Sequence, residues 1–418
     1  MKKIRLGIFG AFRGGHYIEH ALANNADIVA VCDNHEYRLN EAVKKLGGTA
    51  KAYTNFEEFI NHPMDAVFLA NYFHEHAPYA IRCLEKNIHV LSECTSNSTM
   101  AEGVALVRAA EKSKAFYMLA ENYPFMLFNQ EMKKVFESGT LGDLMYAEGE
   151  YNHPADPYNI GTIQSLYQSK EKHWRNYLPR TYYITHSLAP IMYATGANPV
   201  KVSAVPVYHT KAVDTPRVSM VSERAAIITC VNEDSSVFRV TGNASFGGHE
   251  NSYRICGTKG TIENLRGTGG KVMLRYNEWE KPENAEEINF YQPELIDKDA
   301  ELIKKAGHGG GDFFVMREFL NAIRENKKPP FDVYFATKMA SIAILAHRSI
   351  LNGGVPYDLP DFRKEEDCKK YENDHDTPFW YSDGRAPTIP CSAKTDYEPT
   401  ELQKQKYQEA LKELGYNK

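Results

Sequence analysis

Short runs of predominantly apolar residues alternate with amphipathic stretches through the first third of the chain. Ile4 to Phe9, Ile28 to Val31, Ala66 to Ala70, His89 to Ser92 and Phe116 to Leu119 predict strands buried on both faces. The segments between them carry helical periodicity. The pattern is therefore βαβ, and a parallel sheet covered by helices on both sides is expected. Thr99 with Glu102 forms a capping-box pattern that opens a helix running toward Lys114, and Asp65 reads as a turn residue before its strand.

The texture changes after Asn122. A helix from about Phe125 to Glu137 stops at Ser138-Gly139. Strand-like segments then dominate: Tyr146 to Tyr151, Val200 to Tyr208, Ala226 to Val231, Val237 to Gly242, Tyr253 to Cys256 and Lys271 to Arg275. With helices near Asp312 to Arg324 and Tyr334 to Leu351, they predict an α+β domain on a largely antiparallel sheet. Beyond Pro360 lies a charged, proline-containing tail. It finishes in a second capping-box pattern, Thr400-Glu401-Leu402-Gln403, and a helix expected to stop near Gly415.

Composition acts mainly by exclusion. At about 150 residues per domain, 418 residues predict two or three domains, and 43% hydrophobic with 25% charged residues is ordinary globular usage. The longest apolar stretches, such as Met339 to Ala346, fall well short of the roughly 18 residues that span a bilayer. A formal net charge of −5 with no Lys/Arg block argues against a nucleic-acid partner. The seven cysteines (Cys32, Cys83, Cys94, Cys230, Cys256, Cys368, Cys391) are scattered with no CxxC pair, which predicts reduced thiols and no zinc ribbon. Met1-Lys2-Lys3 is followed by Arg5 and no signal-cleavage site, so a cytoplasmic enzyme is expected.

Candidate chemistry begins at Gly10-Ala11-Phe12-Arg13-Gly14-Gly15, directly after the first strand and opening a helix from His16 to Ala23. Such a turn presents backbone N–H groups and a helix N-terminus to a pyrophosphate. Phe12 stands where the middle glycine of G-x-G-x-x-G is usual, and taken alone the segment also fits a simple tight turn. Asp33, at the end of the second strand, is spaced to accept hydrogen bonds from adenosine ribose hydroxyls, and its carboxylate would repel a 2′-phosphate. NAD is therefore expected over NADP. Ligands of parallel sheets gather at the carboxyl ends of the strands, which brings in Asn71, His74 and His76 after Ala70. As helix-start polar residues, the two histidines also have a purely structural reading. Ser92-Glu93-Cys94-Thr95 and Ala120-Glu121-Asn122-Tyr123 fall beside the nicotinamide end. His153, His173, His186 and His308 are too widely spaced to imply a metal, and no metal is expected.

These segments, with "DAVFLANYFHEHAPYAIRCLEKNIHVLSE", "AENYPF", "ESGTLGDLMYAEGEY" and "HSLAPIMYATG", resemble the Gfo/Idh/MocA oxidoreductase family over nearly all of residues 1 to 360. The resemblance implies an N-terminal Rossmann NAD-binding domain (1–122), an α+β domain with a large, mostly antiparallel open sheet for substrate binding and oligomerisation (123–360), and a C-terminal extension (361–418). It also implies that Glu93 and Asn122 meet the nicotinamide half of the cofactor, and that the chain forms a homodimer or homotetramer. The family's Glu-Lys-Pro is here Glu93-Cys94-Thr95, and Tyr182 stands where an acidic residue usually precedes the active-site histidine, His186. Two of three usual proton-handling groups are absent.

Lysine-free members similar to this chain include the NAD-dependent glycoside hydrolases of the α-N-acetylgalactosaminidase type. The shared segments are His173-Trp174-Arg175, Tyr182 to Pro190, Gly307 to Phe313 and Pro360-Asp361-Phe362. That resemblance implies Tyr151 and His186 as proton-handling residues, Tyr182 nearby and His308 at the cleft. Trp174 and Arg175 are read as cofactor- or sugar-facing, or alternatively as packing. The implied chemistry is transient oxidation of a sugar carbinol, loss of the glycosidic group by elimination, water addition and re-reduction, with bases tuned toward neutrality. A net sugar or cyclitol dehydrogenase with His186 as base, and a non-catalytic NAD-binding sensor, are the alternatives. Cys94 is expected to be a small residue in the vacated lysine position rather than a nucleophile.

Overall fold

A computed structural model describes residues 3–154, 172–209 and 218–413. Its first sheet contains β1 (Ile4–Phe9), β2 (Ala26–Cys32), β3 (Lys51–Tyr53), β4 (Ala66–Leu69), β5 (His89–Ser92) and β6 (Tyr117–Leu119). All are parallel, in the order β3-β2-β1-β4-β5-β6, the doubly wound arrangement whose ligand crevice opens where the order reverses, beyond β1 and β4. β3 is not among the strands predicted: it lies at the sheet edge, two of its three residues are exposed, and no apolar run marks it. Thr99 and Glu102 form both halves of the expected capping box on the helix Met100–Lys112.

The glycine turn differs from the expected helix at His16. One helical turn forms at once, over Ala11–Gly14, and a second helix runs from Ile18 to Ala23. Gly10 makes this possible. Its φ of 99° lies in the left-handed region, and a Cβ there would sit 2.2 Å from the Ala70 carbonyl oxygen.

The second sheet joins β7 (Leu144–Asn152), β8 (Pro199–Tyr208), β9 (Glu223–Asn232), β10 (Val237–Ala244), β11 (Glu250–Gly257), β12 (Gly260–Asn264), β13 (Val272–Tyr276), β14 (Ile288–Tyr291) and β15 (Tyr357–Asp358). Among the described residues its order is β14-β13-β12-β11-β7-β10-β9-β8-β15, antiparallel except between β7 and β10. β12, β14 and β15 are short and carry few consecutive apolar residues, which is why no strand was predicted there. Helices Leu127–Glu137, Thr185–Thr195 and Val333–Leu351 pack against this sheet. At Gly149 of β7 the contact is so close that a Cβ would fall 1.9 Å from the Ser187 carbonyl oxygen.

The chain after Pro360 ties the two sheets together. The Asp374 carbonyl accepts from Ala101 N at 2.9 Å, and the Trp380 carbonyl pairs with His74 Nε2 at 2.8 Å. At the second sheet, Ser392 Oγ donates to Glu223 Oε2 at 2.7 Å. The second capping box also forms: Gln403 N donates to Thr400 Oγ1 at 3.2 Å, and Thr400 N to Gln403 Oε1 at 2.9 Å. The helix it opens is described over Glu401–Glu413, and Gly415 lies outside the described residues. All seven cysteines are unpaired. Among the described residues no helix is long and apolar enough to cross a membrane.

Candidate active site

Two cavities of about 790 Å³ each meet beyond the ends of the first sheet's strands. The nucleotide-side groove is lined by Arg13, Gly15, Glu93 and Asn122, and the other cavity by Tyr151 and Arg175. Tyr183, His186 and His308 line both. A group in the groove and a molecule in the cavity would therefore meet at the same three side chains.

His186 enters from the first turn of Thr185–Thr195 and is held from every side. Its Nδ1 pairs with Glu121 Oε1 at 2.9 Å and Oε2 at 3.2 Å, and Tyr253 OH donates to its carbonyl at 2.5 Å. Tyr123 stacks on its ring at 4.0 Å, while Tyr151 and Tyr183 present their edges at 4.9 and 5.2 Å. Glu121 is fully buried and also accepts from Tyr123 N (3.1 Å) and Cys94 Sγ (3.2 Å). Burial works to raise the Glu121 pKa, yet the neighbouring imidazole and the hydrogen bonds bring it below the usual value. With Nδ1 turned to the carboxylate, Nε2 is the nitrogen free to exchange a proton.

A second carboxylate organises the groove. Asp312 Oδ1 accepts from Arg13 Nη2 (2.9 Å), Tyr17 OH (2.9 Å) and Asn122 Nδ2 (2.6 Å). Its Oδ2 accepts from Arg13 Nη1 (3.1 Å), and His308 Nδ1 lies 3.1 Å from both oxygens. Against burial, these donors hold its pKa far below the usual carboxylate range. Arg13 Nε reaches Glu93 Oε1 at 2.7 Å, so the glycine turn, β5 and the helix beginning at Gly311 are clamped together.

The residues present fit a dinucleotide. Gly10 keeps the turn open against Ala70, Gly14 and Gly15 follow it, and Phe12 is exposed beneath the Arg38 guanidinium, 4.6 Å from its ring centroid. Asp33 stands at the end of β2, where its oxygens accept from Ala11 N (2.7 Å) and His35 N (2.8 Å). Among the described residues the buried Oδ1 atoms of Asn71 and Asn122 have no partner, as expected of acceptors aimed at a bound group.

Several expected site residues lie elsewhere. Tyr182 is buried against His347 and Phe379, its OH donating to the Ser98 carbonyl at 3.3 Å, so it faces the C-terminal extension and not the cleft. Adjacent side chains at a helix start point in different directions, and Tyr183 takes the cleft position. His74 is buried under Phe379 and Tyr381, and burial pushes its pKa down to about 3. His76 pairs through Nδ1 with the Thr95 carbonyl at 2.8 Å and so supports the loop after Glu93 rather than lining the groove. Trp174 stacks on Phe73 at 5.0 Å, leaving the exposed Arg175 to face the cavity.

The tyrosines also differ from the expected bases. Burial, then Tyr183 and Tyr123, push the Tyr151 hydroxyl well above its usual value, and burial raises Tyr183 to about 12. Both are donors at neutral pH. Burial likewise raises the Cys94 thiol well above the usual range, followed by the Glu121 and Glu93 charges, which keeps it protonated and unreactive. Sequence reasoning did not single out Glu121, Tyr123, Tyr183 or Tyr253. The "AENYPF" segment carries the first two, and the position after Tyr182 was the available signal for the third.

Residues 4–121 match the model of the oxidoreductase family with an NAD-binding Rossmann fold, and residues 224–369 that of the glycosyl hydrolase 109 C-terminal domain. A glycosyl hydrolase family 109 protein from Stenotrophomonas maltophilia is 24% identical, over 86% of this chain and 89% of the relative. An alpha-N-acetylgalactosaminidase from Tannerella forsythia is 24% identical, over 86% of each. The solved structure of levoglucosan dehydrogenase with NADH and levoglucosan shares the fold, with a TM-score of 0.71 and 18% identity over 86% of this chain and 100% of that one. The N-terminal domain thus matches the NAD-binding Rossmann domain of the oxidoreductase family and the second domain the glycosyl hydrolase 109 C-terminal domain, a tandem that makes the chain similar to NAD-binding enzymes of that fold and to the glycosyl hydrolase 109 relatives.

Proposed function

We propose that the enzyme cleaves a glycoside with no net redox change: transient oxidation of a sugar carbinol acidifies the neighbouring C–H, its proton and the glycosidic group are lost by elimination, water adds to the resulting double bond, and the ketone is re-reduced. The observation that carries this reading is the set Tyr183, His186 and His308, which faces both the nucleotide groove and the neighbouring cavity. The bound nicotinamide supplies a reversible hydride acceptor. His186 Nε2 takes the sugar hydroxyl proton, and the buried Glu121 stabilises the imidazolium that forms. Tyr151 and Tyr183, held neutral by burial, are suited to protonate a departing glycosidic oxygen. Glu93 and Asn122 hold the nicotinamide end and Asp33 the ribose. A lysine base is replaced by the neutral Cys94, and the relatives named as glycosyl hydrolases support the same direction.

The test incubates the purified protein, with and without NAD, against a panel of chromogenic α- and β-glycosides, reading leaving-group release and nicotinamide absorbance together. Release without NADH accumulation is the expected result. Steady NADH with no release establishes the net dehydrogenase instead.

A further inference from the structure

The two cavities differ in charge. The nucleotide-side groove carries Glu19, Glu93 and Asp312 among its walls. Among the described residues, no Asp or Glu lines the other cavity, whereas Arg175, Arg180 and Arg224 do, with His153, His209 and His249. The three guanidiniums come from separate places: the 3₁₀ turn Trp174–Asn176, the loop before Thr185–Thr195, and the start of β9. Two of them are visibly positioned. Arg175 lies over the Trp174 ring at 4.4 Å, and Arg180 Nε donates to the Glu223 carbonyl at 2.9 Å. The fully buried Glu121 stands behind His186 with its oxygens already engaged.

A cavity built for a neutral sugar needs acceptors for hydroxyl protons as well as donors. Here hydroxyls such as Ser219 and Ser245, imidazoles and the amides Asn176 and Gln403 offer such acceptors, while among the described residues the permanently charged side chains on the walls are the three guanidiniums. Guanidiniums gathered around one space raise its positive potential, and their forked N–H geometry matches a planar carboxylate or a sulfate. We infer that the molecule filling this cavity is an acidic carbohydrate, bearing a carboxylate or a sulfate ester that Arg175, Arg180 and Arg224 recognise. The inference rests on the glycoside reading for the kind of substrate and adds its charge.

Calorimetric titration of the NAD-loaded full-length protein tests it with matched sugars: D-glucuronate against D-glucose, and D-galactose 6-sulfate against D-galactose. The acidic member of at least one pair is expected to bind about tenfold or more tightly, with the gap narrowing as salt is added. Preference in the first pair alone assigns a carboxylate, in the second a sulfate, and in both a general anion site. Arg175→Gln and Arg224→Gln should each shrink the gap, and Arg175, exposed on the cavity wall, is a site where folding is insensitive to the change. Equal or undetectable binding of both members in both pairs, or a gap that survives both substitutions, overturns the inference. Failure of the glycoside reading looks different: acidic sugars still bind preferentially, but no chromogenic glycoside, acidic or neutral, releases its leaving group.

Discussion

Glu121 and Asp312 are both buried carboxylates with a histidine Nδ1 at 2.9 and 3.1 Å, yet their remaining partners separate them. Asp312 is neutralised by Arg13, a permanent cation, with Tyr17 and Asn122 completing its shell. Glu121 receives a backbone N–H, a neutral thiol and the Thr185 hydroxyl besides His186, so among the described residues the histidine is the one cation-forming group on it. A fixed counter-charge makes an anchor. A counter-charge that appears and disappears with a proton makes a reaction centre. The same pair of residue types thus serves two purposes according to what else touches the carboxylate.

The sharpest test of this contrast is His186→Ala beside His308→Ala. His186→Ala should lower kcat by about a hundredfold or more, the typical worth of a positioned base, while NAD titration still shows binding. Glu121→Gln, which keeps the shape and removes the charge, should also lower kcat strongly. Equal losses from the two histidine variants would break the comparison.

Next in size is Asp312→Asn, which leaves Arg13 facing only Glu93. Breaking a buried pair costs about 3–5 kcal/mol, and partial exposure of Arg13 reduces this to roughly 2 kcal/mol, readable by urea unfolding. The pH dependence follows from the depressed Asp312 pKa. Its contribution is fully present above the unfolded value near pH 4 and is lost as pH falls below it. The stability of Asp312→Asn should therefore fall less steeply than that of the parent on acidification below about pH 4.

A smaller effect separates neighbouring tyrosines. Tyr182→Phe removes one hydrogen bond to Ser98 and should cost about 1 kcal/mol of stability with kcat/KM unchanged. Tyr183→Phe should lower kcat/KM with little change in unfolding. Smallest of all, Cys94 should resist iodoacetamide at pH 7 in the folded protein and react once urea exposes it, followed by mass spectrometry of its peptide.

The parallel sheet was legible because strands buried on both faces must be apolar at successive positions. β3 was not, because an exposed edge lifts that requirement. The glycine turn and Asp33 were legible from position along the strand–helix alternation, whereas the roles expected of Glu93, Asn122, His186 and His308 came from the family resemblance, and all of them line or adjoin the groove. Glu121 was placed beside the nicotinamide end only as part of its segment, and Tyr183 was not told apart from Tyr182, since their roles depend on which way adjacent side chains point at a strand end and a helix start. Tyr182 was misplaced for the same reason. Asp312 read as a plausible helix start, and its contact with Arg13, 299 positions away, has no local signature.

Gly149 gives this site a hidden constraint. With β7 pressed against the Ser187 carbonyl, any side chain at that position must drive apart the strand carrying Tyr151 and the helix carrying His186. In a saturation-mutagenesis map scored for activity, Gly149 would appear as intolerant as the histidine itself, although it meets neither cofactor nor sugar. The distance between strand and helix is inherited as a unit, and drift in one element is open only to lineages that change the other with it.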